Sequence, residues 1–511
     1  MTTNTKRDPS FTIADHVPDG RQLIHGEWVP AADGALIDVL DPSLGGQIGA
    51  VPAGGGADVA EAVRSSAQAA DGWAGADPVR RAATLHRWAA LLAERAEVIA
   101  GIEAREVGYA VFGSRHLADA VAFMAGQADK VQGRTLPTRD TDVFSFTERE
   151  PLGVCASIVP WNAPTALMLT SVAPALAAGN AMVVKPSEEA PLACLYIAAL
   201  ALEAGVPPGV LNVVTGYGAT AGQALSDSPD IRHMTFTGSA ATGARVARGC
   251  AANIVPVHLE LGGKTPHIVL PDADLAAAVP SIVGNLVRNA GQICYAGTRV
   301  VAHESIAGTL GDLIAAAMRR VRIGPWFTGP DMGPLINRRR RDEVLAYVAA
   351  GRAEGGRVLF GGAAVEVPGA EAGNFVAPTL LGGVTSDMAV AREEIFGPVL
   401  SLLTYTDEAH AVEIANATPY GLAASIWTAD VNAALRMSRR LRCGQVWINT
   451  FGSRAVVGAP FGGFKQSGYG RIGSVDTVYE YTQAKTVIID AAPRAAAPPP
   501  AADPTEPTEQ E

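Results

Sequence analysis

The sequence lacks the features of several protein classes. Its five cysteines are widely spaced and form no Cys-x-x-Cys pair, so we expect free thiols, a cytoplasmic location and no metal site. Acidic residues outnumber basic ones by 51 to 40, and the formal net charge of -11 argues against nucleic acid or an anionic membrane as a partner. No apolar segment follows the N-terminal Met-Thr-Thr-Asn-Thr-Lys-Arg, so no signal peptide is expected.

Long hydrophobic runs are also missing. The most apolar stretch, residues 166–184, contains Pro174 and Gly179-Asn180, which indicates a buried helix, a turn and a strand in place of a membrane span. Residues 1–20 are polar, and residues 491–511 are rich in alanine, proline and acidic residues, so we expect both ends to be flexible. The 511 residues, 48% of them hydrophobic, suffice for two or three domains with buried cores.

From Gly153 onward, short apolar strands alternate with helical segments. This alternation predicts an α/β fold with a parallel sheet, whose ligand lies at the carboxyl ends of the strands. The predicted strands are 154–159, 181–185, 211–214 and 234–236, and the predicted helices are 164–176, 191–204, 219–225 and 240–249. The same alternation continues between residues 260 and 443 and predicts a second sheet domain. Upstream, Asp77-Pro78 indicates a helix start, before Leu85 and Trp88 at helical spacing.

One cysteine stands apart from the other four. Cys294 lies where a small-residue helical segment gives way to glycine-containing chain, between Gly291 and Gly297, which is a place to present a nucleophile. Taken alone, such a cysteine is more often an inert core thiol. Upstream, Glu260 stands between two leucines and before two glycines, which indicates either an ion-pair partner or a base with a raised pKa.

These two segments belong to a set of motifs that resembles the aldehyde dehydrogenase superfamily, in its hydrolytic NAD(P)-dependent branch. The motifs occur in the order known from that family, between about residues 20 and 490. They are Pro160-Trp161-Asn162, Val184 to Glu188, Phe236-Thr237-Gly238-Ser239, Glu260 to Lys264, Asn289 to Ala296, Glu393 to Pro398 and Pro460 to Gly468.

The resemblance implies a Rossmann-like NAD-binding domain at residues 21–133 and 153–259, and an α/β catalytic domain at residues 260–443. It also implies a small β oligomerisation element from residues 134–152 and 474–490, and therefore a homodimer or homotetramer. Residues 134–152 show apolar positions at period two, which by itself is also consistent with a plain surface hairpin.

Three catalytic residues follow from the resemblance. Cys294 adds to the aldehyde, and the Asn162 amide and the Cys294 N–H stabilise the oxyanion of the thiohemiacetal. Loss of hydride leaves a thioester, and Glu260 activates the water that hydrolyses it. Because branches that pass the acyl group to coenzyme A commonly lack this glutamate, we expect a free carboxylic acid. In many members a second glutamate follows a later Gly-Arg pair, but here that position is Ile472, which leaves Glu260 as the sole evident base.

The resemblance also places NAD, in preference to NADP, at the carboxyl ends of the first sheet. Lys185 and Glu188 are implied to bind the adenosine ribose, where Glu188 would repel a 2'-phosphate. Ser239 can cap the next helix, which suits a pyrophosphate or is a simple N-cap. The segment 216–222 has one residue too many for a Gly-x-Gly-x-x-Gly fingerprint. The implied cofactor residues are Ile158, Trp161, Lys185, Ser187, Glu188, Gly218, Gly222, Phe236, Thr237, Gly238, Ser239, Thr242, Leu261, Glu394 and Phe396.

The implied substrate channel is mostly apolar, so an aliphatic or aromatic aldehyde is the first expectation. Arg454, in the loop before Phe461, either anchors a carboxylate or is solvated. The implied lining residues are Ala163, Leu167, Thr170, Ile293, Tyr295, Val456 and Phe461.

Two other functions stay open. One is a cysteine-dependent esterase or hydrolase without redox activity, which would pair Cys294 with His258 or His267. The other is a non-catalytic NAD-binding protein. By themselves, Glu394 and Phe396 are also consistent with an exposed charge and a core aromatic residue.

Overall fold

The computed structural model describes residues 11–109, 114–452 and 456–492. The predictions for residues 1–10, for Arg454 and for the tail beyond residue 492 lie outside the described residues. The expected flexibility of the N-terminus is wrong for residues 11–20, because Ile13 and Val17 are buried in the core of the first domain. Two apolar side chains within five residues are enough to hold this segment against the domain.

The first part of the chain consists of short hairpins and a layer of helices. The predicted helix start is confirmed, since the Asp77 carboxylate accepts a hydrogen bond from the Val79 N–H at 2.8 Å. Leu85 and Trp88 are fully buried, as their spacing predicts. The elements are β1 (Gln22–Ile24), β2 (Glu27–Val29), β3 (Leu36–Leu40), β4 (Gln47–Pro52), α1 (Gly56–Ala74), α2 (Pro78–Glu94), α3 (Ala96–Val107), α4 (Ser114–Ala125), β5 (Thr135–Leu136) and β6 (Val143–Pro151).

The strands and helices predicted from Gly153 onward appear within two or three residues of the expected bounds, with one exception described below. The elements of this part are β7 (Val154–Val159), α5 (Pro164–Ala178), β8 (Ala181–Pro186), α6 (Leu192–Glu203), β9 (Leu211–Val213), α7 (Gln223–Ser226), β10 (His233–Gly238), α8 (Ala240–Ala252) and β11 (Val257–Leu261).

The second half of the chain repeats the alternation. Its elements are β12 (Thr265–Val269), α9 (Leu275–Val287), β13 (Gly297–His303), α10 (Glu304–Met318), α11 (Arg338–Ala353), β14 (Arg357–Phe360), β15 (Thr379–Gly382), α12 (Ala389–Arg392), β16 (Val399–Tyr405), α13 (Glu408–Asn416), β17 (Tyr420–Gly421), β18 (Ala423–Trp427), α14 (Val431–Ser438), β19 (Gln445–Ile448), β20 (Phe464–Lys465), β21 (Gly468–Tyr469), α15 (Thr477–Glu480) and β22 (Thr482–Asp490).

Two large sheets organise these elements. The first has the order β2-β1-β9-β8-β7-β10-β11-β21, and its strands from β9 to β11 are parallel. The second has the order β14-β15-β16-β13-β12-β18-β19 and is parallel from β15 to β19. A separate antiparallel sheet joins β22, β6 and β5. The predicted α/β fold class is therefore confirmed, and each large sheet has its own buried apolar cluster. Within the described residues, no helix is both long and apolar enough to cross a membrane.

Glu260 lies at the junction of the two sheets. Strand β11 continues to Leu261, so the predicted boundary before residue 260 falls inside a strand of the first sheet. The chain enters the second sheet only at Thr265, and β21 later returns to pair with β11, with Gly468 opposite Glu260. The carboxylate is thus held by a strand with a neighbour on each side, at the point where the chain changes domain.

The helix predicted at residues 219–225 is the exception. The chain instead forms a π-type turn over Gly218–Gly222, in which the Gly222 N–H donates to the Tyr217 carbonyl five residues earlier. Only then does α7 begin. The wider turn takes up the one residue by which this segment is longer than a Gly-x-Gly-x-x-Gly fingerprint. The extra residue therefore changes the local hydrogen-bond pattern.

Candidate active site

Cys294 lies in the turn between α9 and β13. After α9 the chain changes handedness, because Asn289, Ala290 and Gly291 have φ values of 48°, 51° and 73°. Left-handed backbone is unfavourable for residues with a side chain, so Asn289 and Ala290 in succession require tertiary contacts that outweigh the strain, whereas Gly291 adopts this conformation without it.

The buried side chain of Gln292 supplies those contacts. Its amide donates to the Asn289 carbonyl at 2.9 Å, and its oxygen accepts from the Ile336 N–H at 2.9 Å. Its own carbonyl accepts from the amides of Asn162 at 3.0 Å and Asn289 at 3.3 Å. Asn162 and the Cys294 turn, which are separated by more than a hundred residues in sequence, are therefore directly bonded.

Gly291 is expected to be essential for this turn. Its φ is positive, and a Cβ atom added to it would overlap the Gly397 carbonyl. We expect Gly291→Ala to lower the free energy of unfolding by about 1–3 kcal/mol and to reduce activity, measured by thermal unfolding and steady-state assay. The matched control is Gly284→Ala in α9, where an added methyl meets no atom within 4 Å and should be neutral or stabilising. Equal stability of the two variants would contradict the role of the turn.

The loop after Glu260 lies against the cysteine. An added Cβ on Gly263 would be 2.7 Å from the Cys294 carbonyl oxygen, and one on Gly262 would overlap the Glu394 carboxylate. The Gly263 N–H donates to Glu394 Oε1 at 3.2 Å. Since both glycines are in contact distance of neighbouring segments, their lack of a side chain lets Cys294, Glu260 and Glu394 converge on one place.

The Cys294 thiol is held in its neutral form. Burial raises its pKa to about 12, and the charges of Glu394 and Glu260 add to this effect. Hydrogen bonds from the backbone N–H groups of Tyr295 and Cys294 oppose it only in part. The resting thiol is therefore unreactive, and it becomes a thiolate only when positive charge approaches or a carboxylate is neutralised.

Glu260 is buried, with 4% of its surface exposed. Its Oε1 accepts a hydrogen bond from His258 Nε2 at 2.8 Å, while its Oε2 has no partner among the described residues. Burial raises the pKa of Glu260, and the hydrogen bond from His258 opposes that shift. One carboxylate oxygen is thus fixed and the other is free to accept a proton.

The structure brings the sequence-predicted cofactor residues to the carboxyl edge of the first sheet and the loop opposite it. Lys185 is 2% exposed, and its Nζ donates to the carbonyls of Pro186 at 2.6 Å and Gly216 at 2.7 Å. Six of these residues stand at the ends of strands: Ile158, Lys185, Phe236, Thr237, Gly238 and Leu261. Three more follow directly after strands, namely Trp161, Ser187 and Glu188, and the π-type turn is bounded by Gly218 and Gly222. The start of α8 carries Ser239 and Thr242, and the segment before β16 carries Glu394 and Phe396. Ser239 caps α8 by accepting from the Thr242 N–H at 3.3 Å.

Trp161 and Phe396 join the two domains near Glu394. Their rings meet edge to face, with centroids 5.5 Å apart and an angle of 87°. Phe396 has a φ of 54°, a left-handed conformation that is rare for a bulky residue. Strain of this kind is retained where the position of a side chain matters.

The predicted substrate residues lie in three places. Tyr295 packs edge-on against Phe461, with centroids 6.0 Å apart, and Ile293 is buried beside it. Ala163, Leu167 and Thr170 lie at the start of α5, next to the bonded Asn162. Val456 instead is 70% exposed, so its side chain lies in solvent.

Sequence patterns missed one aromatic neighbour of the Cys294 turn. Tyr109 packs on the cluster of Ile293 and Ala296, and nothing in its spacing marks it, since it reaches the turn from a distant segment. Phe451, the first residue of the loop that was expected to line the channel, packs on Tyr295 with ring centroids 6.0 Å apart.

The hydrolase hypothesis requires a histidine on the Cys294 sulfur. Both ring nitrogens of His258 are hydrogen-bonded to carboxylates, and His267 Nδ1 is bonded to the Ser425 hydroxyl at 2.6 Å. Neither imidazole is hydrogen-bonded to Cys294 in the described structure, so this arrangement has no base for a cysteine hydrolase.

The model of the Aldehyde dehydrogenase family matches residues 28–487. The chain belongs to this family. It is thus an oxidoreductase that acts on an aldehyde group, as the motifs predicted. A hydroxyisobutyraldehyde dehydrogenase of Mycolicibacterium austroafricanum is 42% identical over 476 residues, which cover 92% of this chain and 94% of the relative.

Two solved structures share this fold. Betaine aldehyde dehydrogenase of Staphylococcus aureus, in complex with NAD+, is 31% identical, with a TM-score of 0.92 and coverage of 94% of this chain and 97% of that one. Indole-3-acetaldehyde dehydrogenase of P. syringae, a Cys-to-Ala variant in complex with NAD+ and IAA, is 37% identical, with a TM-score of 0.88 and coverage of 94% and 100%.

Proposed function

We propose that this family member oxidises an aldehyde to the free carboxylic acid with NAD, using Cys294 as the nucleophile. One observation carries the proposal: the Cys294 turn is hydrogen-bonded to Asn162 and lies against the loop that follows Glu260, whose Gly263 N–H donates to Glu394. Nucleophile, oxyanion donor and base therefore occupy one place, which no single motif requires.

Asn162 and the Cys294 backbone act on the first intermediate. The Cys294 thiol gives its proton to solvent as its sulfur bonds to the carbonyl carbon, and the π electrons of the carbonyl move to its oxygen. The resulting oxyanion accepts from the Cys294 N–H and the Asn162 amide. One N–H of that amide is already bonded to the Gln292 carbonyl, which leaves the second N–H of the same group to donate to the oxyanion. Loss of one such donor typically costs about a hundredfold in rate.

The residues at the sheet edge fit NAD, whose pyridinium ring accepts a hydride when bound. Lys185 Nζ uses two of its three N–H groups on carbonyls, and Glu188 Oε2 lies 3.5 Å away. A ribose hydroxyl can therefore accept from Lys185 and donate to Glu188. The capped start of α8 would hold the diphosphate, and Glu394 would hold the second ribose.

Glu260 completes the reaction by hydrolysis. Its free Oε2 takes a proton from water, the water oxygen bonds to the thioester carbon, and the C–S bond breaks to restore Cys294. The products are the acid and the regenerated enzyme.

Glu188 is expected to determine the choice between NAD and NADP. A carboxylate beside the 2'-position repels a phosphate, so Glu188→Gln should raise kcat/KM for NADP by about tenfold or more and lower it for NAD. Steady-state kinetics with both cofactors would measure this. Glu189→Gln is the matched control, because the neighbouring carboxylate is bonded to the Asn337 amide at 2.7 Å. An unchanged preference in Glu188→Gln would contradict this assignment.

The substrate is proposed to be an aliphatic or aromatic aldehyde. The aromatic rings of Tyr295, Phe461 and Phe451 surround the approach to Cys294 and offer apolar contacts. The relatives named above act on aldehydes of three different kinds, so a panel of aliphatic, aromatic, amino and carboxylated aldehydes is the direct test.

A homodimer or homotetramer is proposed from the antiparallel sheet. Its strands β6 and β22, in residues 134–152 and 474–490, leave Phe144 and Ile488 exposed, the latter at 70%. Exposed apolar side chains on this separate sheet suit a subunit contact. Sedimentation analysis distinguishes the two assemblies. A cytoplasmic location is part of the same proposal, since all five cysteines are free thiols.

A further inference from the structure

His258 lies between two carboxylates. Residues two apart on a strand point to the same face, so His258 and Glu260 of β11 are neighbours, with Nε2 and Oε1 2.8 Å apart. On the other side, His258 Nδ1 is 2.6 Å from Oε2 of Glu480 at the end of α15. The second oxygen of Glu480 accepts from the Arg471 N–H at 3.0 Å.

The position of this imidazole is tightly fixed. A Cβ atom on Gly470 would overlap its ring, and the Gly470 φ of 95° further disfavours any side chain there. In the neighbouring strand β10, Thr235 lies beside His258 in the parallel register. Glu260, His258 and Glu480 thus form a row of three groups. His258 is buried, whereas Glu480 is about one-third exposed, so this row runs from the active site to the surface.

Two carboxylate neighbours require two N–H donors. A neutral imidazole has only one N–H donor. An imidazole that donates to a carboxylate on each side is therefore protonated and positively charged. Burial lowers the pKa of His258, but the hydrogen bonds to Glu260 and Glu480 outweigh it and raise the pKa to about 9. The other charged or titratable groups that face these three are Arg471, the Cys294 thiol near Glu260, the Tyr481 hydroxyl near Glu480, and His233, whose pKa burial lowers to about 4 so that it is neutral.

The residue at position 472 makes His258 and Glu480 more important for the state of Glu260. The second glutamate common in the family is replaced by Ile472, which is buried and pairs its backbone with Phe461 at 2.8 and 2.9 Å. The groups that hold Glu260 in this chain are therefore those of its own strand and of α15.

We propose that His258, clamped by Glu480, is the positioning residue that keeps Glu260 ionised and leaves only its Oε2 open to the hydrolytic water. The inference rests on the proposed function, since it assumes that Glu260 is the base. His258 acts through Glu260, since both of its ring nitrogens are engaged by carboxylates. It donates one hydrogen bond to Oε1 and places a positive charge beside a buried carboxylate that would otherwise bind a proton.

The test is the pH dependence of His258→Gln. The amide still donates to Glu260, but the positive charge is gone, so the pKa of Glu260 rises and the carboxylate stays protonated to higher pH. We expect the acid limb of the kcat profile to move about one unit or more toward alkaline pH, which lowers kcat by about tenfold on that limb. The first-turnover burst of NADH should keep its amplitude, because acylation does not use Glu260.

Glu480 supplies an independent variant. Glu480→Gln should shift the same limb in the same direction by less, and Glu480→Asp should restore most of it, because the charge on Nδ1 is kept. His233→Gln is the matched control: this buried histidine packs on Tyr481 at 4.8 Å and does not touch Glu260, so its profile should equal that of the wild type. Thermal unfolding of all variants separates these effects from loss of fold.

An unshifted acid limb in both His258→Gln and Glu480→Gln, with the burst intact, overturns the inference and leaves the proposed function standing. Failure of the wild-type enzyme to form NADH from any aldehyde overturns the proposed function itself. Should His258→Gln not fold, Glu480→Gln decides the matter alone, since Glu480 lies near the surface.

Discussion

Cys294→Ala is expected to reduce NADH formation by at least about a thousandfold with every aldehyde tested, while NAD still binds. A trigonal aldehyde carbon does not release hydride until a nucleophile has added to it. Cys294 stands in the turn between α9 and β13, and this turn lies against both the loop after Glu260 and the Asn162 amide. Absorbance of NADH in the steady state, together with NAD binding by titration, measures the two effects separately.

Cys443→Ala is the matched control for this variant. Cys443 is the other half-buried free thiol, its Sγ contacts the Gln445 carbonyl, and it lies outside the proposed site. It should retain wild-type rates. Wild-type turnover by Cys294→Ala would place the nucleophile elsewhere. Ester hydrolysis by the wild type without any NADH would revive the hydrolase hypothesis, and NAD binding without aldehyde-protected thiol labelling would revive the non-catalytic one.

Glu260→Gln is expected to lower the steady-state rate by about a hundredfold or more, with a first-turnover burst of NADH preserved. The amide occupies the same space but cannot accept the proton of water, so the thioester accumulates on Cys294. Rapid mixing of enzyme, NAD and aldehyde resolves the burst from the slow phase. Mass spectrometry of the quenched enzyme should find the acyl group on Cys294.

The matched control for Glu260→Gln is Glu393→Gln, which removes a carboxylate that is exposed and bonded to the Tyr347 hydroxyl at 2.8 Å. Its burst and steady-state rate should both be those of the wild type. Loss of the burst in Glu260→Gln would show that the carboxylate also acts before hydride transfer, for instance on the Cys294 proton, and the assignment to hydrolysis alone would be wrong.

The strands of the first sheet were predictable because their signal is local. Buried parallel strands are continuous apolar runs between glycines and prolines, as at residues 154–159 and 181–185, and a few residues of sequence decide each one. The π-type turn at Gly218–Gly222 was not predictable in the same way. An extra residue was visible, but whether it lengthens a loop or widens a helical turn depends on the strand and helix that the turn must join.

Part of the site was also visible in the motifs, and part of it was not. Cys294, Glu260 and Asn162 stand in short segments that can be recognised separately. The pairing of His258 with Glu260 has a signal, since two residues apart on a strand share a face. The pairing of His258 with Glu480 has none, because 222 residues separate them and α15 is brought to β11 only by the folded chain.

The sequence by itself determined the family, the alternation of strands and helices, and the candidates for the side chains that carry the chemistry, because each of these depends on residue types within one short segment. Only the tertiary structure decided how those side chains behave: the neutral thiol of Cys294, the single free oxygen of Glu260 and the charged imidazole of His258. Burial and the distance between charges set protonation, and both are properties of segments that meet in space after the chain has folded.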